Sequence, residues 1–309
     1  MYKPINSTGY ISYQLSGRQD SYLTLKDAMA EGKSVFRPSE TIAITGQNSV
    51  RLFKNSLDEI IAVKAPVNSI KRALFRNNKK FFNECDDEEK SVANELRLLK
   101  QAYPEEKPCY LISGLCAVKP AEWTYRIVMP YIYGCTLDQC VTDMDTSSSF
   151  LMLILAVAIE LDRIHEQDVI HGDVYFNNAL AKRNETSGEY AVHFIDFGSA
   201  YSKDATTATI TDCKKSAIRW APERRSPDID ELKPDISQDV YSFGFMISKL
   251  FELLPESVDT EPLIFLLLLA DIAQATDPDK RPDLSKFIIQ IEDGLSPAGE
   301  KYQAPRMKR

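Results

Sequence analysis

Short apolar runs separated by turn residues dominate the first half of the chain. Thr41–Ile44, Val50–Phe53 and Ile60–Lys64 have the composition of strands, and the polar residues between them predict an antiparallel meander. The acidic stretch at 84–89 precedes Ser91–Gln101 and favours a helix there, because carboxylates stabilise a helix N-terminus. Two more apolar runs follow: Tyr110–Val118 and Tyr125–Tyr131.

The second half of the chain has a helical pattern. Ser148–Glu166 is apolar on nearly every face, which predicts a helix at the centre of its lobe. Asn178–Ala181 and Tyr190–Phe194 flank a polar turn and predict a small hairpin. Further helices are predicted at Asp239–Leu254, Pro262–Ala275 and Leu284–Gly294.

These elements predict an α+β fold with two lobes: a small antiparallel β lobe with one main helix, and a larger, mainly helical lobe. We place the small lobe at residues 41–133 and the large lobe at 134–295. Residues 1–40 form an N-terminal extension of unknown role, and 296–309 form a polar tail.

Composition narrows the possible functions. The 309 residues carry a net charge of −8, which argues against nucleic acid as a partner. The most apolar run, 150–159, is shorter than the roughly 20 residues that a transmembrane helix needs, so no transmembrane segment is expected. The six cysteines form no C-x-x-C pair, and we interpret them as reduced thiols of a cytoplasmic protein. The oligomeric state is left open.

The residues with the clearest chemistry lie in the second half. Asp173 follows His171 and Gly172, Asn178 lies five residues further on, and Asp196 follows the second strand of the predicted hairpin. Phosphoryl transfer requires carboxylate and amide oxygens to hold Mg²⁺, and one carboxylate directed at the attacking hydroxyl. Asp173, Asn178 and Asp196 supply that set.

With these residues in this order, the chain resembles a eukaryotic-type protein kinase over Thr41–Gly294. Each motif is weak alone, but their order is specific. The further segments that match the family are Ile61–Lys64, Glu95–Leu99, Val128–Ile132, Ala221–Glu223, Asp239–Gly244 and Asp279–Pro282.

The resemblance implies ATP and Mg²⁺ as cofactors and assigns roles to individual residues. Asp173, Lys64 and Glu95 are the implied catalytic residues, with Lys64 on the ATP phosphates and Glu95 paired to it. Glu88 is the alternative partner of Lys64, because it lies two turns earlier on the same helix face. Asn178 and Asp196 are the implied ligands of Mg²⁺.

The same resemblance implies an adenine site and several structural contacts. The implied cofactor-binding residues are Lys64, Gly46, Ala62, Met129, Pro130, Ile132 and Leu180. Glu223 and Arg281 resemble a buried ion pair that supports the activation segment. Asp239 resembles an anchor for the catalytic loop, and His171 resembles a packing residue.

The chain departs from the family pattern at three positions. Ile44–Phe53, where a glycine-rich loop is expected, has Gly46 as its only glycine. Gly172 replaces the arginine that pairs with an activation-loop phosphate, so we expect activity without activation-loop phosphorylation. Tyr175 replaces a lysine typical of Ser/Thr kinases; even so, serine or threonine is favoured over tyrosine as the acceptor in an unidentified protein substrate.

Two other functions remain open. A pseudokinase scaffold or nucleotide-binding regulator is favoured by the glycine-poor loop and the missing arginine. A small-molecule kinase of the aminoglycoside or choline type also has His-Gly-Asp with a later Asn, but lacks the Ala221–Glu223 motif. Compact kinases of this kind also resemble the effector kinases that some intracellular bacteria deliver into host cells.

Overall fold

The chain folds into two compact units, Met1–Tyr131 and Ile132–Arg309. The computed structural model describes part of each unit. The described residues are 11–12, 35–44, 48–54, 60–66, 94–104, 110–115, 123–205, 220–225 and 235–295.

The described part of the first unit contains an antiparallel sheet and a helix, α1, at residues 94–102. The strands are β1 Ile11–Ser12, β2 Val35–Ile44, β3 Asn48–Lys54, β4 Ile60–Pro66, β5 Tyr110–Leu115 and β6 Trp123–Pro130. Their order in the sheet is β1-β2-β3-β4-β6-β5.

Several described residues at the centre of this sheet and on α1 are buried. Leu52, Ala62 and Ile127, from three neighbouring strands, are buried, and so are Leu98 and Ala102 of α1. Alternation along β4 turns Ala62 and Lys64 to the same face of the sheet. Lys64 pairs in register with Val50 on one side and with Ile127 on the other, so its backbone is fixed by both neighbouring strands.

The second unit is mainly helical. Its α-helices are α2 Leu137–Thr142, α3 Ser147–Glu166, α4 Ser237–Phe251, α5 Ile264–Ala273 and α6 Leu284–Leu295. Its strands are short: β7 Cys135–Thr136, β8 Val169–Ile170, β9 Ala179–Arg183, β10 Tyr190–Phe194 and β11 Tyr201–Ser202. Single turns of 3-10 helix occur at Phe176–Asn178, Phe197–Ser199, Pro222–Arg225, Glu261–Leu263 and Pro278–Lys280.

Helix α3 forms the core of this unit. The side chain of Thr146 accepts a hydrogen bond from the Ser149 N–H and caps the helix N-terminus. Beyond the cap, apolar residues occupy most positions, and Phe150, Leu153 and Ile154 are fully buried. Helix α6 and strand β10 pack against α3. The polar β9–β10 loop is exposed at residues 184–187. The segment between β8 and β9 carries Asp173 and Asn178.

Helices α4 and α5 approach each other closely at Gly244. A Cβ atom at this position would lie 2.6 Å from the Ala270 carbonyl oxygen and 2.7 Å from the Ala273 Cβ. Only glycine fits such an approach without a shift of the helices.

The small antiparallel sheet with one main helix, followed by a larger helical unit, confirms the predicted α+β class. Strand β2 begins at Val35, so the boundary that we placed after residue 40 falls within a strand. Since β2 pairs with β1 as well as with β3, part of the predicted N-terminal extension belongs to the sheet. The other domain boundaries stay predictions.

Two further expectations concern the cysteines and membranes. Cys135 and Cys140 form a disulfide, with Cα atoms 6.1 Å apart, so the expectation that all six cysteines are reduced thiols is wrong for this pair. Cysteine usage consequently gives no support for a reducing compartment. None of the helices in the described ranges is long and apolar enough to span a bilayer.

Candidate active site

The first unit holds a buried ion pair between Lys64 and Glu95. Lys64 Nζ donates to Glu95 Oε1 at 2.6 Å, and the two side chains are only 9% and 11% exposed. A buried ammonium is unfavourable unless a carboxylate lies beside it, so β4 and α1 are coupled through this contact. Glu88, the alternative partner, lies outside the described residues.

The predicted adenine-contacting residues of the first unit are neighbours in the sheet. Ala62 on β4 pairs in register with Met129 on β6, and Ile61 pairs with Pro130. Ala62 is buried and Met129 is half-buried. Gly46 lies outside the described residues.

Two predicted cofactor-binding residues belong to the second unit. Ile132 is its first residue and is half-buried. Leu180, also half-buried, lies on β9, where it pairs in register with Thr136 and with His193.

Asp173 and Asn178 lie on one loop and contact each other directly. Asn178 Nδ2 donates to Asp173 Oδ2 and to the Asp173 carbonyl oxygen, both at 2.9 Å. This contact turns the amide nitrogen of Asn178 toward Asp173 and its Oδ1 oxygen to the opposite side. That oxygen is of the hard type that Mg²⁺ prefers.

A backbone hydrogen bond holds the segment that carries Asp196 beside the same loop. Ile195 N–H donates to the Asn178 carbonyl oxygen at 2.8 Å, which places the residue before Asp196 against Asn178. Asp196 is exposed and has left-handed backbone angles, φ 64° and ψ 70°, and its Oδ1 accepts a bond from the Gly198 N–H. The carboxylate of Asp196 and the amide oxygen of Asn178 are ligands of the type that Mg²⁺ takes, so the donor set fits this ion.

The buried carboxylate of Asp239 holds the backbone before Asp173. Its Oδ2 accepts from the His171 N–H at 2.7 Å and lies 3.0 Å from His165 Nε2, while its Oδ1 accepts from the Gly172 N–H at 2.8 Å. Burial favours the neutral acid, but the hydrogen bond from His165, the nearby His171 and the Gly172 N–H outweigh it and lower the pKa of Asp239.

His171 has a packing role, which agrees with its predicted place in the family. Its ring is fully buried and lies 4.9 Å from the ring of Phe197, and its Nε2 lies 3.1 Å from the Ile195 carbonyl oxygen. His171 therefore joins the loop of Asp173 to the segment that carries Asp196.

Glu223 and Arg281 form a bidentate ion pair. Arg281 donates from Nη1 and Nη2 to the two carboxylate oxygens of Glu223, at 2.6 and 2.8 Å. Arg281 also donates to the carbonyl oxygens of Ser237 and Ala275. The segment that begins at Trp220 is thus held to the helical part of the unit.

Trp220 is a site residue that the sequence analysis missed. Its indole Nε1 donates to Asp173 Oδ1 at 2.9 Å, and its side chain is buried. In the sequence only its place directly before Ala221–Glu223 distinguishes it. A contact across 47 residues of chain leaves no periodic pattern that sequence reasoning could have found.

Two curated proteins are similar to this chain. The serine/threonine-protein kinase nekl-2 of Caenorhabditis elegans is 25% identical over 235 residues, which cover 66% of this chain and 61% of that protein. The serine/threonine-protein kinase shk1/pak1 of Schizosaccharomyces pombe is 27% identical over 165 residues, which cover 53% of this chain and 23% of that protein. The matched part is less than two thirds of the length of either relative.

A family model described as protein tyrosine and serine/threonine kinase matches residues 78–287. The match includes Asp173, Asn178 and Asp196 and begins after Lys64. Since it extends over more than half of the chain, and since the fold agrees with it, the protein belongs to the protein tyrosine and serine/threonine kinase family.

Proposed function

We propose that the protein transfers the γ-phosphate of ATP to a hydroxyl group of a protein substrate in a Mg²⁺-dependent reaction. The observation that carries this proposal is the contact between Asp173 and Asn178, at 2.9 Å. It gives one loop a carboxylate for the acceptor hydroxyl and an amide oxygen for a metal ion, which is the combination that phosphoryl transfer needs.

Each residue of the set has a distinct task in this proposal. Asp173 orients the acceptor hydroxyl and accepts its proton. Lys64 binds phosphate oxygens, and Glu95 holds the ammonium in place. Asn178 and Asp196 hold Mg²⁺, which when bound neutralises charge on the phosphate oxygens.

Serine or threonine is the proposed acceptor. The support for this choice is that both similar proteins are named serine/threonine-protein kinases. Tyr175, in the position of the usual lysine, packs with its ring 4.0 Å from that of Phe176, so an aromatic surface lies two residues after Asp173.

Incubation with labelled ATP, Mg²⁺ and generic protein substrates tests the activity. We expect phosphoserine or phosphothreonine with the wild type, and a loss of at least about a hundredfold with Asp173→Asn or Asp196→Ala. Asp271→Asn, an exposed aspartate on α5, is the matched control and should keep full activity. Transfer by the wild type no greater than that by Asp173→Asn would overturn the proposal. Label on an aminoglycoside or choline but never on protein would favour the small-molecule reaction.

We also propose that activity does not require phosphorylation of the activation segment. Gly172 offers no guanidinium to a phosphate, and its φ of 76° lies in the left-handed region that suits glycine. The threonines of this segment that could be phosphorylated, Thr206, Thr207, Thr209 and Thr211, lie outside the described residues. Enzyme treated with a phosphatase should keep its rate within about twofold of untreated enzyme. A fall of tenfold or more after treatment would contradict this.

A further inference from the structure

We propose that Trp220 is a positioning residue for Asp173. Its indole N–H donates to Asp173 Oδ1 at 2.9 Å, while Asn178 Nδ2 donates to Oδ2 at the same distance. Donors on two different oxygens fix both the position and the plane of a carboxylate. This inference rests on the proposed function, because it assigns Trp220 a task only if Asp173 acts on the acceptor hydroxyl.

The tryptophan is itself held firmly, which a positioning residue requires. Trp220 is 3% exposed, and the next residue, Ala221, is fully buried. Three residues after Trp220, Glu223 forms its bidentate pair with Arg281. A planar ring with few rotatable bonds, attached to an anchored backbone, loses little entropy when it holds its partner.

Asp173 is fixed from three directions in this arrangement. Asp239 holds the backbone N–H groups of His171 and Gly172, just before Asp173. Asn178 and Trp220 then hold the two carboxylate oxygens. A hydrogen bond to a charged acceptor is stronger than one between neutral groups, so each donor restricts the carboxylate substantially.

Trp220 connects Ala221–Glu223, which Arg281 holds, to the carboxylate of Asp173. The indole N–H donates to the group that is proposed to act on the acceptor hydroxyl. Loss of the N–H should consequently lower kcat and leave the KM for ATP unchanged.

The contact can be tested without any activity. The chain has two tryptophans, so a ¹⁵N-labelled sample gives two indole N–H signals in an NMR spectrum, one from Trp123 and one from Trp220. We expect Asp173→Ala to shift the Trp220 signal, because the substitution removes the oxygen that accepts the indole N–H. A Trp220 signal that is unchanged in Asp173→Ala would overturn the inference, whether or not the protein is a kinase.

The role is tested with Trp220→Phe, which keeps an aromatic ring and removes the donor. We expect kcat to fall about tenfold or more with the KM for ATP within twofold, as a hydrogen bond to a charged group predicts. Asp271→Asn, at an exposed residue of α5, is the control and should keep kcat. A wild-type kcat in Trp220→Phe would overturn the positioning role and leave the proposed kinase activity intact. Absence of transfer by the wild type would overturn the proposed function, while the NMR measurement still decides the contact.

Discussion

Arg281 donates two parallel hydrogen bonds to Glu223, from a guanidinium group that is fully buried. The planar fork of arginine matches the two carboxylate oxygens, and the remaining donors reach backbone carbonyls of Ser237 and Ala275. This residue therefore connects the segment after Trp220 with the start of α4 and the end of α5.

The first prediction concerns this ion pair. Arg281→Lys keeps the charge but loses the fork, so we expect the free energy of unfolding to fall by about 2 kcal/mol. Glu252→Gln is the matched control, because it breaks the exposed Lys249–Glu252 pair and should change stability by less than about 0.5 kcal/mol. Urea unfolding followed by circular dichroism gives both values. Equal losses of unfolding free energy in the two variants would contradict the expectation that the buried pair stabilises the fold more than the exposed pair.

The second prediction concerns Asp239. Asp239→Asn replaces a buried acceptor oxygen with an amide N–H₂ that faces backbone N–H groups, so we expect a loss of about 3 kcal/mol. His165 and His171 are the titratable groups that face this carboxylate.

The pH dependence of this effect has a definite sign. Because folding lowers the pKa of Asp239, its contribution to stability is fully present above about pH 4, the value for an unfolded aspartate, and is lost as the pH falls further. The difference in unfolding free energy between the wild type and Asp239→Asn should accordingly shrink as the pH falls below about 4. A difference in unfolding free energy that grows as the pH falls would contradict a lowered pKa of Asp239 in the folded state.

The third prediction separates the two partners in the first unit. Lys64→Met removes the cation, and we expect Mg·ATP affinity to fall by about tenfold or more in calorimetry. Glu95→Gln replaces the carboxylate that accepts from the buried Lys64 ammonium with a neutral amide, so it should also lower the free energy of unfolding by about 1 to 3 kcal/mol. Lys249→Met, at an exposed lysine of α4, should change neither quantity. Unchanged affinity in Lys64→Met would show that Lys64 does not bind the phosphates.

The fourth prediction concerns the packing of α4 on α5. Gly244→Ala places a Cβ about 2.6 Å from the Ala270 carbonyl oxygen, so the helices must separate, at a cost of about 2 kcal/mol. Lys249→Ala, on the same helix with a side chain that is 38% exposed, is the control for helix propensity and should be nearly neutral. The melting temperature of the two variants checks this. A more stable Gly244→Ala would mean that the helices are not in close contact.

The amino-acid sequence by itself determined the class of fold, because periodicity is a local property. Alternating runs predicted the strands around Lys64, and the apolar stretch from Ser148 to Glu166 predicted the central helix, which the structure places at Ser147–Glu166. The motif order around Asp173 and Asp196 identified the family, which the family match confirms. The periodicity of apolar residues and the order and spacing of the motifs were sufficient for these conclusions.

Only the tertiary structure decided which groups touch. The sequence left both Glu88 and Glu95 as partners of Lys64, and the structure places Glu95 at 2.6 Å. It also brought Trp220 to Asp173, and it joined Cys135 with Cys140. Side-chain contacts depend on how separate elements pack and not on the pattern within any one of them. A hydrogen bond from an indole to a carboxylate 47 residues away exists only once the whole unit has folded.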